Sequence, residues 1–242
     1  AERRAQWQAE HPGKKYKEPA GPDVSGLPEL PEGWCWASAE QLCYFITKGT
    51  TPSADKLFPN SGDVPFIKVY NLTFTGQLDF SINPTYVSKK THTGELARSI
   101  VVPGDVLMNI VGPPLGKVSI VPDTFPEWNI NQAIARFRTV APMNSRYLSI
   151  CLQSESILNW ATTRAKATAG QFNLTLEICR ELPIPLPPVD EQVRIAAEVE
   201  VRLSAASHSE SSLHLNFARS DRLRQSILRR AYSGQLSTNG NQ

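Results

Sequence analysis

The sequence is poor in the residues from which catalytic and metal centres are built. Its 242 residues include 4 His, 4 Cys and 2 Met. Cys35, Cys43, Cys151 and Cys179 form no C-x-x-C pair and have no nearby His, so spacing offers neither a zinc site nor a disulfide framework. Buried, reduced thiols are expected. His11, His92, His208 and His214 match no Ser, Cys or carboxylate arrangement of a hydrolytic triad, and there is no acid-acid-Lys nuclease cluster. No apolar run is long enough to span a bilayer or to act as a signal peptide, which points to a cytoplasmic protein with no membrane partner. A strong charge of either sign is also missing. The net charge is +2, with 5 Lys/Arg against 4 Asp/Glu in residues 1–27, 13 against 13 in 28–189, and 7 against 6 in 190–242. Binding to nucleic acid must therefore rest on local clusters rather than on a bulk positive field.

What is present is a long stretch free of Gly and Pro, introduced by Pro183, Pro185, Pro187 and Pro188. Each proline lacks a backbone N–H and clashes with a preceding helical turn, so the lead-in is extended and a helix must start after it. Asp190 is the expected N-cap and Glu191 adds first-turn negative charge, while Gly234 is the stop signal. Apolar residues recur at three- and four-residue steps through Ile195, Val199, Leu203, Ala206, Leu213 and Phe217. Leu223, Ile227, Leu228 and Ala231 follow one position out of phase. A helix over 190–232 is roughly 65 Å long at 1.5 Å per residue. It needs a partner helix, either on this chain's own body or on another chain. No other segment here is long enough to pair with it throughout.

Residues 1–10 favour a helix, and His11 to Pro31 reads as a Pro- and Gly-rich linker. Trp34 and Trp36, opening the folded body, are expected in its core. Short strands are expected over Val64–Val69, Ile100–Val102, Asp105–Val111, Lys117–Val121 and Ala133–Arg138. A single helix is expected from Arg146 to about Lys166, and a loop over Gly170–Leu174. The turn Gly112-Pro-Pro-Leu-Gly116-Lys117 fails as a phosphate loop, because that motif needs four residues between the glycines and Ser or Thr after Lys. It reads as a hairpin turn, with Lys117 placed to meet a phosphate. Asn83-Pro84-Thr85-Tyr86 departs from the Asn-Pro-Pro-Tyr pattern of amino methyltransferases at its third position. It is better read as a turn before a strand. What remains is a set of polar and basic turn residues: Thr50, Thr51, Lys68, Tyr70, Asn71, Lys89, Lys90, Thr91, Asn109, Lys166, Gln171 and Asn173. Lys neutralises phosphates, and Asn, Gln and Thr on loops read base edges.

Several stretches together carry a family resemblance. They are Leu30-Pro31-Glu32-Gly33-Trp34, Lys48-Gly49-Thr50-Thr51-Pro52, Val102-Pro103-Gly104-Asp105-Val106-Leu107, Gly116-Lys117 and Asn131-Gln132-Ala133. Leu182-Pro183-Ile184-Pro185-Leu186-Pro187-Pro188 follows, with Glu191-Gln192 and Arg194-Ile195 after it, and then Leu223-Arg224-Gln225-Ser226-Ile227-Leu228 and Ala231-Tyr232-Ser233-Gly234. In these the chain resembles the second half of the specificity subunit of type I restriction-modification systems, over nearly its whole length. The resemblance implies an α/β (α+β) target recognition domain with a predominantly β body, followed by one long C-terminal coiled-coil helix. Residues 1–27 would be the end of a central conserved helix and its linker, and 28–189 the recognition domain. Residues 190–236 would be the long conserved helix and 237–242 a tail.

The resemblance further implies double-stranded DNA as ligand, with phosphate contacts from Lys68, Lys89, Lys90 and Lys166. It implies methyltransferase subunits as partners and a restriction/translocase subunit reached through the complex. S-adenosylmethionine would bind the methyltransferase subunit, and this chain itself would hold no cofactor, metal or catalytic residue. A full-length subunit has two recognition domains held apart by two antiparallel helices. This chain has one of each, so it is either a fragment or a half-subunit that self-associates through Ile195, Val199, Leu203, Leu213, Phe217, Leu223 and Ile227. Two other readings stay open: an assembly adaptor that reads no sequence, and an amino methyltransferase resting on Asn83 to Tyr86.

Overall fold

A computed structural model describes residues 2–10, 12–13, 15–168 and 171–233. Gly234 and the 237–242 tail lie outside the described residues. The chain divides into two compact units, Ala1–Ala196 and Ala197–Gln242.

The first unit opens with α1 (Glu2–Glu10), β1 (Cys35–Ser38), α2 (Ala39–Leu42) and β2 (Cys43–Lys48). It continues through β3 (Phe58–Pro59), β4 (Val64–Ile67), β5 (Thr85–Val87), α3 (Lys89–Thr93), β6 (Ile100–Val101), β7 (Val106–Asn109), β8 (Val111–Gly112) and β9 (Val118–Ile120). Then come β10 (Trp128–Ile130), β11 (Ile134–Thr139), α4 (Ser145–Gln153), α5 (Glu155–Arg164), β12 (Lys166–Thr168), β13 (Gln171–Asn173), α6 (Leu176–Glu181) and β14 (Pro183–Leu186). The last element is α7, Val189–Tyr232. The architecture is therefore mixed α/β with a sheet-rich body and one long C-terminal helix, as the sequence led us to expect.

Among the described residues, beside a two-stranded pair β1-β14 and a small sheet β12-β13-β8, two larger sheets build the body. One has the order β3-β5-β4-β10-β6 and the other β2-β11-β7-β9. The second is covered on both faces, and its strand sequences show why. In β7, Val106 and Met108 enter a core shared with α4, α5 and α6, while Leu107 between them enters a second core with Ile67, Trp128 and Ile130. β11 does the same, with Ala135 and Phe137 on one side and Ile134 on the other. This is the two-residue period of a strand used twice. The helices begin where small polar side chains cap them. Ser38 accepts from Gln41 N, Ser88 from Thr91 N, Thr175 from Ile178 N, and Asn144 from both Arg146 N and Tyr147 N.

The pairing of β7 with β9 makes Pro113–Gly116 part of a hairpin connection, as expected. The Pro-rich lead-in is itself a strand, β14, antiparallel to β1. The first turn of α7 is fastened to the body. The indole N–H of Trp34 donates to Glu191 Oε2 (3.1 Å), and Gln192 is buried, accepting from Asn144 N (3.0 Å) and donating to Pro187 O (3.1 Å). These bonds give the Glu-Gln pair a structural role. The helix starts at Val189, so Asp190 lies inside its first turn rather than at its cap. α7 also runs without interruption through the phase change between Phe217 and Leu223, so its apolar stripe rotates on a continuous backbone.

Other expectations need correction. The helix foreseen from Arg146 to Lys166 is two helices, broken at Ser154, whose backbone is extended. The Ser154 hydroxyl donates to Cys151 O (2.7 Å), a local bond that competes with helix continuation. The strand at Val64 stops at Ile67 because Asn71 turns the chain: Lys68 N donates to its Oδ1, and its Nδ2 donates to Asp79 O and Ile82 O. Gln171–Asn173 is a strand rather than a loop, since β8 provides a pairing edge for it. Trp34 and Trp36 are only half-buried; the Trp36 indole N–H donates to Pro28 O. Of the four thiols, Cys35 is exposed.

Candidate nucleic-acid interface

β4 and β10 run parallel, and the chain leaves both at the same end, Ile67 and Ile130. Three turns gather there. Gly49 N donates to Ile134 O and Thr50 N to Ile130 O; Asn131 N donates to Ile67 O; Ile110 N donates to Ala133 O, and Leu174 N to Ile110 O. Gly49 is obligatory at this crossing. A Cβ on it would lie 2.0 Å from Ile130 O and 2.3 Å from Asn131 O, both backbone atoms. The Lys-Gly-Thr-Thr-Pro and Asn-Gln-Ala stretches, far apart in sequence, are thus clamped together. Gln132 N lies 3.5 Å from Thr51 Oγ1.

The edge displays Thr50, Thr51 and Gln132, all exposed. Half-buried Lys68 follows β4, its Nζ 5.9 Å from the centroid of the Tyr70 ring. The Tyr70 hydroxyl donates to Asn83 O (3.1 Å) and lies 3.3 Å from Thr85 Oγ1, which fixes the ring. Lys117 enters β9 beside the end of β7, with its backbone N–H donating to Asn109 Oδ1 (2.9 Å) and its Nζ 5.8 Å from the Phe74 ring centroid. Asn173 is exposed and pairs with Val111 in the adjoining small sheet. Lys166 and Gln171 belong to the same small sheet, but their side chains lie outside the described residues. The edge thus carries two ammonium groups beside aromatic rings, flanked by hydroxyls and amides.

Five of the expected contact residues do not join it. Asn71 and Asn109 are 0% exposed and spent on the fold. Asn71 shapes the turn after β4, and Asn109 holds the β7–β9 hairpin through Pro114 O (2.6 Å) and Lys117 N. Their amides are needed by backbone groups that burial would otherwise leave unpaired. Lys89, Lys90 and Thr91 lie on α3 at the start of β4, where Lys89 N donates to Asp63 Oδ2 (2.8 Å). The length of β4, roughly 10 Å at 3.3 Å per residue, separates them from Lys68. Gln132 and Phe74 belong to the edge without having been singled out. Gln132 lies in a motif that signalled it; Phe74 had no signal beyond an aromatic between two threonines.

At the opposite end of β7 from the edge, Asp105 anchors the Pro-Gly-Asp turn. Its side chain is 1% exposed; it accepts two bonds of 2.7 Å from Arg138 and one from Val102 N. Arg136 next to it is buried, and desolvation and then the like charge of Arg138 lower its pKa. Its guanidinium lies 5.3 Å from the Phe45 ring centroid. His92 is buried, with Nδ1 2.7 Å from Asn129 Oδ1 and Nε2 3.0 Å from Glu127 Oε2, a structural tie between α3 and β10. Among the described residues no group of three or more His, Cys, Asp or Glu is placed to hold a metal ion, and no helix is long and apolar enough to cross a membrane.

The α7 residues expected to pair with another helix divide. Ile195 packs against the body's own core, and Val199 is half-buried. Leu203, Leu213, Phe217, Leu223 and Ile227 are exposed by 46–69%, together with Val201 and Leu215.

Comparison with known proteins gives a consistent answer. The family described as type I restriction modification DNA specificity domain matches residues 31–201. The chain is similar to the type I restriction enzyme EcoBI specificity subunit of Escherichia coli, with 33% identity over 144 residues, covering 58% of this chain and 29% of that protein. It is also similar to the EcoEI specificity subunit of Escherichia coli, 24% identical over 209 residues, 80% of this chain and 34% of that protein. Among solved structures, it resembles a chain from a type I R-M system studied for complex assembly and conformational transition. The TM-score is 0.67 at 20% identity, over 96% of this chain and 52% of that one. The HsdS subunit from Thermoanaerobacter tengcongensis matches with a TM-score of 0.58 at 20% identity, over 77% of this chain and 46% of that one. The chain thus spans about a third of the two curated relatives and about half of the solved chains.

Proposed function

Because the chain belongs to the family of type I restriction-modification DNA specificity domains, we propose that residues 28–189 read one half of a bipartite DNA target. The long helix α7 then forms the spacer that docks methyltransferase subunits. The observation that carries this reading is the convergence at one strand-end edge of Thr50, Thr51, Lys68, Tyr70, Lys117 and Asn173, drawn from segments more than a hundred residues apart. Lysines set register on phosphates, and the threonines and amides beside them offer both donors and acceptors to base edges in a groove.

The chain acts here without catalysis of its own, in the cytoplasm. Methyl transfer from S-adenosylmethionine belongs to the methyltransferase subunits, and translocation and cleavage to a restriction subunit. The exposed apolar residues of α7 support a helical partner along its length, either the conserved helix of a longer chain or that of a second copy. The neutral charge of residues 28–189 leads to modest affinity for the chain alone. The test is selection of bound duplexes from a random pool by the chain with its methyltransferase subunits, followed by mapping of methylated bases. A single enriched split site supports the reading; equal retention of all sequences supports an adaptor. Cofactor binding by the isolated chain would favour the methyltransferase reading instead.

A further inference from the structure

The segment Leu72–Leu78 makes a tight turn against β9 and carries Phe74 at its tip, 56% exposed. A large aromatic side chain at the tip of a polar turn buries little of itself in the fold. The turn beneath it is nevertheless heavily bonded. Thr73 N donates to Ser119 Oγ (3.1 Å) and Ser119 Oγ to Gln77 O (2.7 Å); Thr73 Oγ1 donates to Gln77 O (2.6 Å) and accepts from Thr75 N (3.2 Å). Val118 N donates to Thr73 O and Ile120 N to Gly76 O, both 3.0 Å, which ties the turn to the hairpin bearing Lys117. Phe74 is therefore presented rigidly, at small entropic cost to a later contact. Lys117 Nζ stands 5.8 Å from its ring centroid, on the same edge as Lys68 and Thr50. An aromatic face with a cation beside it matches one nucleotide: a base to stack on and a phosphate to neutralise.

We propose that Phe74 is a wedge that stacks at a partly opened base step of the DNA target, with Lys117 on the adjoining phosphate. This rests on the DNA-reading function above and assigns to it a contact with base faces rather than base edges. Phe74 joins the interface through its exposed ring and the Lys117 ammonium beside it, and it contributes to specificity by favouring steps that unstack easily.

The test uses the whole chain and a pool of duplexes, random in sequence, carrying 5-iodouracil in place of thymine. Irradiation should join DNA to the tryptic peptide of residues 69–89, with the attachment at Phe74. Phe74→Ala should weaken binding about tenfold with its salt dependence unchanged. Lys117→Ala should instead lower the slope of log affinity against log salt by about one. Phe74→Tyr should retain affinity. If Phe74→Ala binds within twofold of the parent and attachment falls elsewhere, Tyr70 included, the wedge is wrong while DNA reading stands. A Phe74→Ala chain that keeps DNA affinity but loses co-purification with methyltransferase subunits makes Phe74 a protein contact and overturns the wedge. If the parent chain binds no DNA at low salt, the DNA-reading function itself fails and the wedge falls with it.

Discussion

The body and the long helix solve the same physical problem in opposite ways. In the body, apolar residues at two-residue spacing are closed into two cores, and buried polar groups such as Asn71, Asn109, Asp105 and Gln192 have partners within the same unit. In residues 201–233, large apolar side chains recur at helical spacing and remain exposed, Leu215 and Phe217 by 69% each. A helix of this length holds its shape in water by burying such a stripe against another helix. One region thus closes its apolar residues within itself, whereas the other leaves a stripe of them exposed.

This contrast can be broken at several points. The largest effect is expected at Gly49, where Gly49→Ala drives a Cβ into two backbone carbonyls. A loss of about 3 kcal/mol or more in urea unfolding is expected, and an unchanged midpoint would mean that the clamp between the two motif loops is not as tight as described. Asp105→Ala should come next, costing roughly 2–3 kcal/mol by removing the buried carboxylate that accepts from Arg138 and the Val102 N–H. In the helix, a double change of Leu213→Glu and Phe217→Glu should shift body stability by no more than about 0.5 kcal/mol. Pairing with a second helix should be lost, read as a fall in solution mass or in methyltransferase co-purification. A large loss of body stability would show that the stripe is covered from within the chain.

The last effect, absent at neutral pH, concerns the thiols. Burial pushes Cys151 and Cys179 up to about 12 from an ordinary value of 9.0. The folded state therefore holds protons that the unfolded chain gives up, so their contribution is complete below pH 9 and is lost as pH rises toward 12. The unfolding midpoint should be level between pH 7 and about 8.5 and fall above 9. At pH 8, a thiol reagent should label Cys35 first among the four.

Much of the body could be read from its sequence because strands and turns are local. Alternation marked β11, an apolar run after the Pro103-Gly104 turn marked β7, the Gly-Pro turn marked the β7–β9 hairpin, and the prolines placed the start of α7 within one residue. The failures came where a local side-chain bond or a tertiary contact overrode the pattern. Ser154 broke a helix that no Pro or Gly interrupted, and Gln171–Asn173 became a strand because β8 offered an edge. The site was legible as residue types but not as a face. Thr50, Thr51, Lys68 and Lys117 converge, whereas Asn109 reads in sequence like any turn amide until burial shows it holding Pro114 O. Lys89 and Lys90 appeared equivalent to Lys68, and only the direction of β4 separates them.

That separation also supplies the most direct test of the strand-end edge as the DNA-reading surface. Binding of a labelled duplex pool by the whole chain should be followed by fluorescence anisotropy across a salt series. Three proteins are needed: the parent, Lys68→Ala with Lys117→Ala, and Lys89→Ala with Lys90→Ala. The edge pair should weaken binding and lower the salt slope by about two, with the α3 pair close to the parent. A slope lowered by the α3 pair and untouched by the edge pair would contradict the assignment.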